Sequence, residues 1–116
     1  METIEIHPKG WGFENWIVYN NLYCGMLLFF EKGKKCSWHY HKIKDETFYI
    51  QSGEILLRYG ECDDFEKSKT INLKPGDKFY VPPYLRHQMI GIKDTELFEF
   101  STQHFEDDSY RIIRGD

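Results

Sequence analysis

The octapeptide HYHKIKDE (residues 39–46) places His39 and His41 one residue apart, with Glu46 five positions after the second histidine. In a strand, positions i and i+2 project from the same face, so the two imidazoles would stand about 6–7 Å apart along the backbone. Side chains of that length can converge on one ion. Glu46 joins them only if the chain bends back, and the polar stretch 42–45 is the place for such a bend.

A wider pattern surrounds this segment. Gly33 and Gly53 flank the His39, His41, Glu46 group. Downstream, PGDKFYVPPYLRH carries Pro75-Gly76-Asp77, then Val81-Pro82-Pro83, then His87. The glycines suit turns that need positive φ. The Pro82-Pro83 pair stiffens the approach to His87. Three imidazoles and one carboxylate suit a divalent Zn, Mn, Fe, Ni or Co ion with positions left open. Because such ligands bind deprotonated, occupancy is expected to fall through the ordinary imidazole range, around pH 6–7. His7 and His104 lie outside both blocks and are expected to be surface histidines.

The elements that must position these residues are strands. Turn signals recur every eight to twelve residues, among them Lys9-Gly10, Asn20-Asn21, Gly33, Gly53, Gly60, Pro75-Gly76 and Lys93-Asp94. Short stretches rich in Ile, Val, Leu, Phe and Tyr separate them, at 16–19, 22–30, 36–41, 47–51, 54–58, 70–73, 78–81, 86–92 and 96–101. That rhythm predicts an all-β sandwich or barrel. No stretch carries a helical period over three turns. Segment 22–30, LYCGMLLFF, lacks the alternation of a strand with one wet face. It predicts burial on both sides, either under the chain's own elements or in a homodimer.

Composition narrows the classes. The 116 residues form one domain, 1–116, with 41% hydrophobic and 17% aromatic residues, enough to build a core. The net charge of −4 and the absence of long like-charge runs argue against nucleic acid and against an anionic membrane as partner. The longest apolar run is too short to span a bilayer. Cys24, Cys36 and Cys62 leave an odd count without metal-type spacing, as expected of reduced thiols in a cytoplasmic protein.

The two blocks, with their glycines and histidines in register, resemble the two signature motifs of the cupin family. The resemblance implies a small jelly-roll barrel and a metal held by His39, His41, Glu46 and His87. The chain ends narrow it further. HPKGWGFENWIV, with Trp11-Gly12, and LFEFSTQHFEDDSYRIIR, with Glu99, Asp107-Asp108 and Arg111, resemble the cupin domain of type II phosphomannose isomerases. The guanylyltransferase domain found with some of those enzymes has no counterpart here, and Tyr40 sits within a thinner histidine cluster.

The resemblance implies a small-molecule ligand, a sugar or sugar phosphate, and a metal-dependent isomerase or epimerase. Such chemistry needs a Lewis acid and a base that moves a proton between adjacent carbons. Glu99 is the candidate base if it faces inward with Leu97 and Ser101; if Phe98 and Phe100 face inward instead, it is a solvated surface group. Arg111, Arg86 and Lys35 are candidates to hold a phosphate, with arginine favoured for two-pronged contact. Trp11, Trp16, Trp38, Tyr40, Tyr49 and Tyr80 either line a sugar pocket or serve as core and interface aromatics. The same ligand set also suits an Fe-dependent dioxygenase, or a non-catalytic sugar-binding module.

Overall fold

The structure is a computed structural model and describes residues 2–115. Its eleven strands are β1 (Glu5–Lys9), β2 (Gly12–Tyr19), β3 (Cys24–Phe30), β4 (Trp38–Tyr40), β5 (Glu46–Ser52), β6 (Ile55–Gly60), β7 (Lys69–Leu73), β8 (Lys78–Val81), β9 (Arg86–Gly91), β10 (Thr95–Ser101) and β11 (Tyr110–Ile113). One 3-10 turn, Phe65–Lys67, is capped by the Asp64 side chain. No helix among the described residues is long and apolar enough to cross a membrane.

The strands form two antiparallel sheets, ordered β1-β2-β3-β10-β5-β8 and β11-β4-β9-β6-β7. From β3 to β6, and again from β7 to β10, successive strands cross between the sheets. The result is the jelly-roll barrel that the turn spacing predicted. Alternation decides what enters it. On β5, Glu46, Phe48 and Ile50 are buried while Tyr49 is exposed; on β10, Thr95, Leu97 and Glu99 are buried while Phe100 faces out. The apolar floor is built from Met26, Leu28, Phe30, Phe48, Ile50 and Leu97.

Segment 22–30 behaves differently from its expectation. The strand starts at Cys24, because the Asn20 side chain accepts hydrogen bonds from the backbone N–H groups of Leu22 and Tyr23 and turns that stretch outward. Cys24, Met26, Leu28 and Phe30 point inward, so the strand does alternate. Leu27 and Phe29 are partly covered within their own sheet, Phe29 by stacking on Phe13 with ring centroids 5.2 Å apart. All three cysteines are free thiols.

Two strands escaped the sequence reading. β1 carries Pro8 and is mostly exposed, which an edge position tolerates. β11 has four mostly exposed residues and no apolar pattern. The predicted strand 36–41 is shorter, only Trp38–Tyr40. Trp38 lies outside the barrel, buried beneath the 3-10 turn, with its indole N–H donating to the Asp63 carbonyl at 3.1 Å. Tyr40, Tyr49 and Tyr80 also face away from the interior, so none of these four lines a ligand cavity.

Gly33 and Gly53 adopt positive φ, 82° and 89°, as their turns required. Their surroundings differ. A Cβ at Gly33 would meet nothing within 4 Å, whereas one at Gly53 would lie 2.3 Å from the Asp94 carbonyl oxygen and 2.4 Å from Thr95 Oγ1. Gly33→Ala should therefore cost about 1 kcal/mol of backbone strain. Gly53→Ala adds an overpacking cost and should lose about 3 kcal/mol or more. Urea unfolding of the two variants side by side checks this, and equal midpoints would contradict it.

Candidate metal centre

The site begins with strand register. His39 and His41 share the inner face of the β4 segment, and His39 lies opposite His87 on β9. Glu46 opens β5 beside Ser101 of β10. What brings Glu46 to the histidines is the bend at 42–45. The Asp108 carboxylate accepts hydrogen bonds from the backbone N–H groups of Lys42 (2.8 Å), Ile43 (3.2 Å) and Lys44 (3.0 Å). Asp45 is held to Thr102 in both directions. The bend is clamped by the segment that follows β10.

Each imidazole is oriented by its Nδ1. That of His39 lies 2.8 Å from the Ser37 carbonyl, that of His41 2.7 Å from the Asp108 carbonyl and that of His87 3.0 Å from the Leu85 carbonyl. A carbonyl only accepts, so every Nδ1 carries the proton and donates it. Every Nε2 therefore bears a lone pair. The three histidines form a group whose ligand atoms lie within 4.8 Å of one another.

Glu46 is 2% exposed, and its Oε2 lies 3.3 Å from His41 Nε2 and 3.7 Å from His87 Nε2, without a hydrogen-bond partner. Donor atoms held about 2.0–2.2 Å from one ion lie about 2.8–3.6 Å apart at angles between about 90° and 110°. The His41–Glu46 distance falls in that range and the His87–Glu46 distance just beyond it, while the metal-type group itself is the three histidines. The chemistry fits as well, because carbonyl contacts of this kind are what fix the tautomer of metal-binding histidines.

Electrostatics points the same way. Burial, followed by the neighbouring imidazole, lowers His39 and His87 to about 3 and His41 to about 4. Burial and then the Glu99 carboxylate push Glu46 well above the usual carboxylate range. Without a cation, burial and Glu99 thus favour the protonated form of this carboxyl. A divalent ion among these atoms would replace that proton.

Around the group opens a cavity of about 550 Å³ between the sheets, bordered by the β1–β2 hairpin and by β11. Glu99 faces it, on the phase that puts Leu97 inside and Phe100 outside. Burial opposes its charge, but Lys44, with Nζ 2.7 Å from Glu99 Oε2, outweighs this and holds Glu99 below the usual range. Burial likewise opposes the charge on Lys44, yet Glu99 and then Glu46 keep it above the usual lysine range. Arg111 lies opposite His39 in the β11–β4 register and lines the cavity, as do Trp11 and Trp16.

Two expected anion holders lie elsewhere. Arg86 is bound by Asp63 at 2.9 Å and covers the outer face of Tyr40, because its position on β9 is out of phase with His87. Lys35 is exposed, on a single bridge to Ile90 away from the cavity. Conversely, His7 and His104 are not plain surface residues: both line the cavity, with His7 stacked on Trp16 at 4.0 Å. Lys44 was missed. Its signal was its phase, two residues before Glu46 and so on the same side, but a lysine in a polar bend reads as solvated.

Residues 26–100 match the family model described as the cupin domain, and the chain belongs to that family. Its fold is shared by capsular polysaccharide assembling protein CapF from Staphylococcus aureus, with a TM-score of 0.81, 15% identity, and coverage of 96% of this chain and 34% of that one. It is shared also by KdgF from Halomonas sp. (TM-score 0.70, 18% identity, 82% and 81% covered). A third is the oxalate decarboxylase of Bacillus subtilis (TM-score 0.78, 15% identity, 93% and 30% covered). The chain thus spans about a third of CapF and of the decarboxylase. No curated protein matches it.

Metal uptake should carry a proton signature. At pH 6, three ordinary imidazoles would give up about two protons between them on binding an ion. Here the imidazoles are already neutral and the raised Glu46 carboxyl is the one group of the four left to give up a proton, so Zn²⁺ binding should release at most about one. Zn²⁺ affinity should therefore fall with a one-proton slope as pH drops through the raised Glu46 range, and steepen only near pH 3–4, where the imidazoles protonate. Calorimetry in buffers of different ionisation enthalpy reads the proton count directly. His41→Ala should weaken Zn²⁺ at least about tenfold, since even supporting contacts are worth that much. His7→Ala should leave metal content unchanged.

Proposed function

We propose that this cupin is an enzyme that binds one divalent metal through His39, His41, His87 and Glu46 and isomerises or epimerises a sugar or sugar phosphate. The observation that carries the reading is the three-histidine group, two of whose Nε2 atoms lie within 4 Å of the partnerless Glu46 oxygen, beside a carboxylate facing the same cavity. The bound ion would supply Lewis acidity to hydroxyl or carbonyl oxygens. Glu99 is the base. Held ionised by Lys44, it takes the proton from the carbon next to the carbonyl and returns it to the adjacent carbon. Arg111 takes the phosphate from the cavity wall, while Trp11 and Trp16 exclude water and present apolar faces to the sugar ring. The sequence likeness to type II phosphomannose isomerases at Trp11-Gly12, Glu99 and Arg111 supports this choice of reaction.

The assembly we propose is a homodimer through the outer face of the larger sheet. An antiparallel sheet turned to water should show polar residues there. Instead Ile17, Val18, Tyr23, Phe98 and Phe100 surround an apolar groove of about 330 Å³, and Phe100 is 54% exposed. A two-fold axis would set this patch against its own copy.

The decisive experiment combines elemental analysis of the purified protein with an aldose- and ketose-phosphate panel. The expected result is one Zn or Mn per chain, turnover without O₂ uptake, and a loss of about 100-fold or more in Glu99→Gln, within the range for a general base. Iron with O₂ consumption would favour a dioxygenase instead. Light scattering should give twice 14.0 kDa for the wild type and 14.0 kDa for Phe100→Asp.

A further inference from the structure

The Lys44 ammonium is an unusual object for a cavity wall. The residue is 5% exposed, so it is withdrawn from bulk water, yet its only ion-pair partner among the described residues is Glu99 at 2.7 Å. An ammonium has three N–H donors. No backbone carbonyl or hydroxyl accepts from the Lys44 side chain among the described residues, although its backbone N–H is engaged by Asp108. Lys44 lines the cavity, so the donors that Glu99 leaves spare are open to an arriving ligand oxygen. Lys44 and Glu46 sit on the same side of the chain, so such an oxygen would lie next to the one nearest the histidines.

Charge around the cavity defines what that oxygen belongs to. Lys9, Lys44, Arg111 and Arg114 line it against Glu14, Glu46, Glu99 and Glu106. Lys44 is matched by Glu99, and Lys9 lies 4.0 Å from Glu14. Arg111 and Arg114 form no ion pair among the described residues. A divalent ion at Glu46 would leave the cavity clearly positive, within a chain whose net charge is −4. Such a cavity favours anions.

We propose that Lys44 is a ligand-binding residue and that the cavity takes a small molecule with two oxygens on adjacent carbons, at least one of them anionic, as in an α-hydroxy acid or an enediolate. One oxygen occupies the space facing His39, His41 and His87; its neighbour accepts from Lys44. Glu99 positions the ammonium and keeps it from swinging onto Glu46. This inference rests on the metal-site reading and names its substrate class.

The test uses the full chain loaded with Co²⁺, whose visible spectrum reports on what surrounds the ion. Glycolate is the α-hydroxy acid probe, glucuronate the sugar-acid probe, and imidazole the neutral control that needs no lysine. Wild type should show a saturable change with glycolate. Lys44→Met should keep its Co²⁺ and its response to imidazole while losing glycolate affinity at least about tenfold, the effect of removing one charged partner. Because Lys44→Met leaves Glu99 buried and unpaired, the double variant Lys44→Met/Glu99→Gln is measured too and should behave the same way. Glycolate binding unchanged in both variants would overturn the proposal, as would a metal-loaded wild type that responds to neither acid. Parallel loss of glycolate and imidazole would also overturn it, by showing general damage. Failure of the wild type to bind Co²⁺ at all would instead sink the metal-site reading.

Discussion

Three imidazoles with bare Nε2 lone pairs gather beside one carboxylate oxygen on the wall of the cavity, and that crowding organises the rest of the site. Neutral imidazoles cannot donate from Nε2 when Nδ1 already holds the proton against a backbone carbonyl. A proton on Glu46 relieves the contact only in part, since it can bridge to one nitrogen at a time. A divalent cation held as proposed would relieve the rest. The apolar floor of Phe48 and Ile50 sharpens the effect, because charges interact more strongly in a poorly solvated pocket. The barrel therefore gathers groups whose neutral or charged forms are both poorly served without a cation, as a three-histidine group able to hold one requires.

That arrangement depends on a residue that touches neither ion nor ligand. Asp108 closes the 42–44 backbone onto its carboxylate and, through its own carbonyl, fixes the His41 ring. One residue thereby orients His41 and sets the start of the strand that carries Glu46. Because Asp108 is 3% exposed, those hydrogen bonds stand in place of solvation and are strong ones. The bend also explains why Lys44 turns inward: its N–H is committed to Asp108, and the chain leaves the bend with the phase of Glu46.

The legible part of the molecule was the part governed by local rules. The glycine turns at 33 and 53, the shared face of His39 and His41, and the phase of Glu46 with Phe48 and Ile50 all follow from two-residue periodicity and positive φ. His87 also stands where the motif put it, and Glu99 takes the inward one of the two phases left open for it. What stayed hidden was settled by distant pairing. β1 and β11 lack apolar patterning because they lie at sheet edges, so nothing local marked them as cavity walls. Hence His7 on β1 and His104 ahead of β11 read as surface groups, and Arg86 read as an anion holder although its strand phase turns it outward. Lys44 failed for a similar reason: its burial depends on Glu99, far away in sequence and adjacent only after β10 folds beside β5.

The Lys44–Glu99 pair is a poor device for stability. Removing two charges from water costs several kcal/mol per ion, and a contact of this kind is commonly no better than well-packed apolar side chains of equal volume. The space around it would accept such residues, since Leu28, Phe48 and Leu97 already belong to the core beneath. An ion pair placed there, within reach of Glu46 and open to the cavity, makes sense as a means of keeping a carboxylate ionised and an ammonium directed in a site where solvent cannot do either. The stability of the barrel comes from the apolar layer beneath, and the charges above it are free to serve the cavity.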